Sequence, residues 1–123
     1  MILDTCFFID TDRGKPETLR FLAANPSERL CLAAITVGEL ACGMEPSEIA
    51  GLWSRLRSFQ VLDVTPEAAV CYSQIYRRVC QTGRMIGTND LWIAAIALAN
   101  QMPVVTRNVE EFTRVPNLRV VGY

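Results

Sequence analysis

Short apolar runs alternate along this chain with longer segments in which apolar residues recur at helical spacing. The runs predict strands at residues 1–3, 30–34, 61–64, 103–105 and 118–121. The intervening segments predict helices at residues 5–10, 16–25, 36–44, 47–59, 66–83 and 90–100, with a polar loop at residues 10–15. Strands separated by helices form a parallel or mostly parallel sheet covered on both faces. Because 123 residues with 50% hydrophobic content suffice for one core, we expect one α/β domain over residues 1–123, a three-layer sandwich with a mostly parallel central sheet.

Acidic and polar residues follow several of these strands. Asp4 ends the first strand, Glu39 lies in the helix after the second strand, and Asp90 heads the apolar helix before the fourth. Thr106 and Asn108 leave the strand at residues 103–105. Since the carboxyl ends of parallel strands meet at one edge of the sheet, we expect these side chains to converge there.

Three neighbouring carboxylates would repel one another strongly. At a spacing of about 5 Å and an effective dielectric of about 20, each pair costs roughly 3 kcal/mol and the triad about 10 kcal/mol. A domain's whole stability is only about 5–15 kcal/mol. Either one carboxylate is neutralised by a raised pKa or a divalent cation binds, and hard oxygen ligands suit Mg²⁺ or Mn²⁺. We favour the cation, with Asp4, Asp90 and Glu39 as its ligands.

Each acid taken alone has a simpler structural explanation. Thr36 and Glu39 have the spacing of a capping box at a helix start. Asp90 is equally explained as a first-turn acid that the helix dipole favours, and Asp4 as a turn former. Only the complete set indicates an active site.

Composition removes several other chemistries. The chain has no histidine, which excludes a Ser-His-Asp triad, a Cys-His pair and a His-based zinc site. The formal net charge of −1 provides no global attraction for nucleic acid, so RNA contacts would have to be local. The candidates are Arg107, Arg13, Lys15 and Arg84, although each is equally plausible as a solubilising surface residue.

The five cysteines are odd in number and lack C-x-x-C spacing, so we interpret them as reduced, mostly buried thiols. No apolar run is long enough to span a membrane, and the first residues do not resemble a secretory signal. We expect a cytoplasmic protein with no membrane partner.

Four motifs in order, MILDT, TVGEL, NDLWIAA and VVTRN, followed by Phe112 and the closing strand, resemble the PIN-domain ribonucleases. The similarity is particularly to VapC-type toxins of type II toxin–antitoxin systems and covers essentially the whole chain. It implies a PIN-like fold, a Mg²⁺- or Mn²⁺-dependent endoribonuclease, a cognate antitoxin that covers the site, and a homodimer. The fourth motif carries Asn108 where much of the family has a carboxylate. The second of two ions is therefore expected to bind weakly, unless Glu110 or Glu111 compensates.

Such a site supports attack of a metal-activated water on an RNA phosphodiester. Asp4 and Asp90 would anchor the ion, and Glu39 would hold the ion or orient the water. Thr106 and Asn108 would fix water and phosphate by hydrogen bonds. A single-stranded or loop RNA is the expected substrate.

Two alternatives belong to other classes. The first is a catalytically impaired PIN-like module that only binds RNA or an antitoxin, for which Asn108 is the main argument. The second is a response receiver, which requires a phosphoacceptor aspartate in mid-chain and a lysine near the end. Asp63 is the only central candidate, and the sole lysine is Lys15.

Overall fold

The computed structural model describes all 123 residues and contains one five-stranded sheet. Its strands are β1 (Ile2–Leu3), β2 (Cys31–Ala33), β3 (Gln60–Leu62), β4 (Val104–Val105) and β5 (Val120–Val121). They lie in the order β3-β2-β1-β4-β5, and every neighbouring pair is parallel. The α/β prediction is confirmed, with a wholly parallel sheet rather than a mostly parallel one.

Helices connect the strands and cover both faces of the sheet. They are α1 (Thr5–Asp12), α2 (Pro16–Ala24), α3 (Ala34–Cys42), α4 (Ile49–Leu56), α5 (Pro66–Thr82), α6 (Thr88–Ala99) and the single turn α7 (Val109–Phe112). A 3₁₀ turn at Pro46–Glu48 precedes α4.

Alternation along the strands divides the core into two layers, because successive side chains of a strand point to opposite faces. Ile2 of β1 and Val104 of β4 pack with α5 and α6. Leu3 and Val105, their immediate neighbours in the chain, pack with α1, α2 and α4 on the other face. The expected three-layer sandwich is therefore present.

Local sequence signals account for the long helix α5. The Thr65 side chain accepts a hydrogen bond from the Ala68 N–H (3.2 Å), and Pro66 occupies the first helical position, where no N–H is needed. Gly83 ends the helix in the left-handed region at φ 65°, where glycine has no Cβ penalty. Both predicted ends of this helix are confirmed.

The buried helix α6 carries Asp90 in its first turn, as expected. Six of its residues, Leu91 and Ile93 to Ala97, are fully buried, which explains why the helix is apolar on nearly every side. Thr88 and Asn89 are residue types that often cap helices, but neither caps this one. Gly87 is the N-cap, and no side chain caps the helix.

Other boundaries also differ from the sequence prediction. The helix predicted to reach residue 44 ends at Cys42, and the one predicted at residues 47–59 is confined to Ile49–Leu56. Trp53, an apolar residue of α4, is 54% exposed in this single chain. Asp10, placed in a polar loop by its sequence context, lies inside α1 and is buried.

All five cysteines are free thiols. Cys6 and Cys31 are buried, whereas Cys42 and Cys80 are exposed, so the expected burial holds for only part of the set. No helix combines the length and the apolar character that crossing a membrane would require.

Candidate active site

Asp4 lies where β1 ends and α1 begins. As the N-cap of α1, its Oδ1 accepts a hydrogen bond from the Thr5 N–H at 2.7 Å. Its Oδ2 accepts one from the Thr106 hydroxyl at 2.7 Å and one from the Cys6 thiol at 3.0 Å. Thr106 directly follows β4, which pairs with β1, so the sheet order brings these two residues together. The Asp4 side chain is only 2% exposed and keeps a fixed orientation.

Glu39 reaches the same edge from the middle of α3. Its carboxylate accepts hydrogen bonds from the Thr5 hydroxyl and from the Asn89 amide, the latter at 2.8 Å. Because α3 begins at Ala34, Thr36 lies inside the helix and caps nothing. The capping-box explanation of Glu39 is therefore wrong. Thr5 contacts both Asp4 and Glu39, and Asn89 joins Glu39 to the start of α6.

Asp90 completes the expected group of acids. Burial raises the pKa of this carboxyl from 3.8 to about 7, and the negative charges of Asp4, Glu111 and Glu39 add to the effect. No lysine or arginine forms an ion pair with any of these four carboxylates. The site therefore concentrates negative charge without a protein cation to offset it.

Glu111 is the fourth carboxylate of the group. Its Oε1 accepts a hydrogen bond from the Gly87 N–H at 2.9 Å, directly before α6. Glu110 instead points to solvent, 87% exposed, and pairs with Arg114. Of the two glutamates considered as compensation for Asn108, Glu111 is the one that lies beside Asp90.

The two polar residues expected after β4 occupy different environments. Thr106 is fully buried and donates to Asp4. Asn108 is exposed, and its backbone N–H donates to the Thr106 hydroxyl oxygen at 2.9 Å. Through that bond Asn108 helps to orient Thr106, while its side-chain amide makes no hydrogen bond to the carboxylates.

The four basic candidates also separate into two groups. Arg107 and Lys15 both contact the buried carboxylate of Asp10. Arg13, at the end of α1, and Arg84, in the loop before α6, are exposed and pair with no acid. The structure brings only the first two together.

The sequence did not predict three residues that hold the functional side chains in place. Thr5 bridges Asp4 and Glu39, Asn89 holds Glu39, and Asp10 collects the two cations. No local pattern distinguishes these side chains from ordinary polar residues, because each has a partner that lies 34, 50 or 97 positions away in the chain.

The donor set suits a hard divalent cation. No group of three or more Asp, Glu, Cys or His side chains is arranged to ligate one ion directly. The acids at this edge nevertheless supply carboxylate oxygens, the hard donors that Mg²⁺ and Mn²⁺ prefer. Glu39 and Asp90 line an open depression of about 320 Å³ together with Gly87, Thr88 and Asn89. A cation bound there would stabilise the ionised form of Asp90, which burial and then the neighbouring negative charges disfavour.

Known proteins share this sequence and architecture. The PIN domain family model matches residues 1–118. The tRNA(fMet)-specific endonuclease VapC of Salmonella typhimurium is 35% identical over 127 residues, covering 97% of this chain and 94% of that protein. Ribonuclease VapC2 of Haemophilus influenzae is 32% identical over 127 residues, covering 99% of this chain and 96% of that protein.

Solved structures agree with the sequence similarity. VapBC-1 from nontypeable Haemophilus influenzae has a TM-score of 0.86 at 29% identity, covering 98% of this chain and 96% of that chain. DNA-bound VapBC from Salmonella typhimurium has a TM-score of 0.81 at 30% identity, covering 98% of this chain and 96% of that chain. The chain belongs to the PIN-domain family and, within it, to the VapC-type ribonucleases.

Proposed function

We propose that this chain is an endoribonuclease toxin that hydrolyses RNA phosphodiester bonds with the help of Mg²⁺ or Mn²⁺. Its relatives are named as ribonucleases and a tRNA endonuclease, which supports RNA hydrolysis as the reaction class. The observation that carries the proposal is the meeting of Asp4, Glu39 and Asp90 at one edge of the sheet, with no lysine or arginine paired to them. The response-receiver hypothesis, which needed Asp63 as phosphoacceptor, is wrong because the chain belongs to a different family.

Asp4 and Asp90 would hold the cation, with Glu39 as a direct or water-mediated ligand. When bound, a divalent cation supplies a Lewis acid that lowers the pKa of a coordinated water and offsets charge on the phosphoryl oxygens. Asp4 is fixed by Thr5, Cys6 and Thr106, so its orientation does not depend on substrate. Thr5 and Asn89 hold the Glu39 carboxylate, leaving it placed to accept a proton or orient a water.

The residues Asn108 and Glu111 bear on how many ions the site can hold. Asn108 carries no charge, and its contribution seen here is the hydrogen bond from its backbone to Thr106. Glu111 accepts a hydrogen bond from the Gly87 N–H and adds negative charge near Asp90. We propose one tightly held ion on Asp4 and Asp90, and a weaker second ion that depends on Glu111.

RNA contacts would come from Arg107 and Lys15, with Arg13 and Arg84 as weaker candidates. The first two lie together on Asp10, within reach of the residues that follow β4. Arg13 and Arg84 are exposed, and their long side chains could reach a bound strand.

A cognate antitoxin is the expected partner. Two of the solved structures that resemble this chain are described as VapBC, one of them bound to DNA. We propose that an antitoxin encoded for this chain covers its active site. A homodimer remains a prediction, and the mass measured by light scattering in solution would test it.

Induced expression of the wild type and of Asp4→Asn, with mapping of new RNA ends by sequencing, tests the proposal. We expect growth arrest and discrete new ends with the wild type only. Purified protein should cleave the same RNA in MnCl₂ or MgCl₂ and should lose activity in EDTA. RNA binding without cleavage under any divalent ion would support the inert binding module instead.

A further inference from the structure

Asp10 is a buried carboxylate that lies outside the group of acids described above. It is 1% exposed, and it accepts hydrogen bonds from Lys15 Nζ (3.0 Å), Arg107 Nη1 (2.6 Å to each oxygen) and the Tyr123 hydroxyl (3.0 Å). Burial opposes ionisation, yet the bonds from Lys15 and Tyr123 and the charge of Arg107 hold the pKa of Asp10 below its ordinary value. Two cations therefore share one anion, and the cluster carries a net positive charge.

The guanidinium of Arg107 has a free edge. Both contacts with Asp10 come from Nη1, so the edge formed by Nε and Nη2 makes no hydrogen bond within the protein. The Arg107 side chain is 46% exposed and that of Lys15 is 41% exposed. A guanidinium edge of this kind binds phosphate through two parallel N–H bonds. The cluster thus presents a fixed cationic surface to solvent.

The cluster adjoins the metal-site carboxylates. Arg107 follows Thr106 in the chain, and its backbone N–H donates to the Cys6 sulfur at 3.4 Å. The same thiol donates to Asp4 Oδ2 at 3.0 Å. Arg107 also lines an open depression of about 360 Å³ together with Glu111, the acid beside Asp90. An RNA strand bound at the carboxylates would therefore lie close to the Arg107 guanidinium.

Tyr123 contacts the buried Asp10 carboxylate and helps to fix its position. Its hydroxyl lies 3.0 Å from Asp10 Oδ2 and 3.4 Å from the Cys6 sulfur, and its ring packs edge-on against Phe7 with centroids 4.9 Å apart. Asp10 is consequently held on a rigid aromatic support. While Arg107 is bound to Asp10, its charge is also kept from pairing with Asp4 or Glu111.

We propose that Asp10 is a positioning residue that fixes Arg107 and Lys15 as one subsite for the RNA phosphate next to the scissile one. The inference rests on the proposed ribonuclease function. Asp10 itself touches no substrate and acts through the two cations.

Binding of a short fluorescein-labelled single-stranded RNA of random sequence, followed by anisotropy in EDTA at several salt concentrations, tests the subsite. Asp10→Asn and Arg107→Gln are each expected to weaken binding about tenfold, the effect of losing one charge-assisted contact. Each should also reduce the slope of log Kd against log salt by about 0.7. The double variant should weaken binding by less than the product of the two single effects, because both changes act on Arg107.

The sign of the Asp10→Asn effect is decisive. If Asp10 contributed only its charge, removing a negative group would tighten RNA binding, and that result would overturn the proposal. Asp12→Asn is the matched control, since it removes an exposed α1 carboxylate that pairs with Arg55, and it should bind like the wild type.

If Asp10→Asn fails to fold, the variant Arg107→Lys still tests the proposed phosphate subsite. Arg107→Lys keeps the charge but lacks the planar fork, so it should bind more weakly than the wild type and more tightly than Arg107→Gln, and wild-type affinity would refute the subsite. If the wild type cleaves and binds RNA but the variants bind equally well, only the subsite fails. If the wild type neither binds nor cleaves RNA, the proposed function fails with it.

Discussion

Without metal, the variant Asp90→Asn is expected to be more stable than the wild-type protein at neutral pH. Asparagine keeps the shape of the side chain and removes the charge that burial and the neighbouring acids disfavour. In the wild type, the folded carboxyl keeps its proton up to about pH 7, whereas the unfolded one loses it near pH 3.8. Folding stability is therefore highest below the unfolded pKa and is lost as pH rises towards the folded pKa.

The magnitude follows from the two pKa values. The difference between 3.8 and about 7 corresponds to about 4 kcal/mol once the carboxyl is fully ionised. The wild type should lose about 2 kcal/mol between about pH 5.5 and about pH 8, and the variant should not. Loss of the favourable interaction with the α6 helix dipole reduces the gain of the variant by about 0.5 kcal/mol.

Urea unfolding followed by circular dichroism in EDTA, at about pH 5.5 and pH 8, measures the effect. Asp63→Asn is the matched control, because it removes an exposed carboxylate at the end of β3 and should keep the wild-type pH dependence. Adding MnCl₂ should stabilise the wild type and have less effect on Asp90→Asn. Parallel pH profiles for the wild type and Asp90→Asn would refute the raised pKa of the Asp90 carboxyl in the folded state.

Three further changes probe separate parts of the protein. Asp4→Asn should lower RNA cleavage in MnCl₂ by at least about 100-fold with an unchanged circular dichroism spectrum, and wild-type turnover would exclude Asp4 as a metal ligand. Glu111→Gln should lower the pKa of Asp90 and flatten the pH profile of stability without metal; an unchanged profile would show that Glu111 does not act on Asp90. Thr65→Ala should cost about 1 kcal/mol in urea unfolding, because the cap on Ala68 is lost, and equal midpoints would contradict that role.

The fold was predictable because its signals are local. Pro66 and Gly83 mark the two ends of α5, and the apolar character of residues 90–100 identifies a buried helix. Boundaries were less predictable where packing decides between similar conformations. The helix predicted at residues 47–59 spans only Ile49–Leu56 in the structure. Its buried residues are Leu52 and Leu56, which pack in the core.

The candidate site was predictable only in part. Asp4 and Thr106 follow strands, so a parallel sheet implies that they share an edge, and they are hydrogen-bonded. Asp10 looked like a loop residue because its polar neighbours in the chain suggest solvent. Its burial depends on Arg107 and Tyr123, which lie 97 and 113 positions away.

The sequence by itself determined the kinds of element, their order, and which acids leave from strand ends, because periodicity and turn residues act within one element. Only the tertiary structure decided which side chains meet. The position of β1 between β2 and β4 brings Asp4 to Thr106, and the packing of α3 near α6 brings Glu39 to Asn89. Such contacts depend on strand order and helix packing, which minimise the free energy of the whole chain rather than of any local segment.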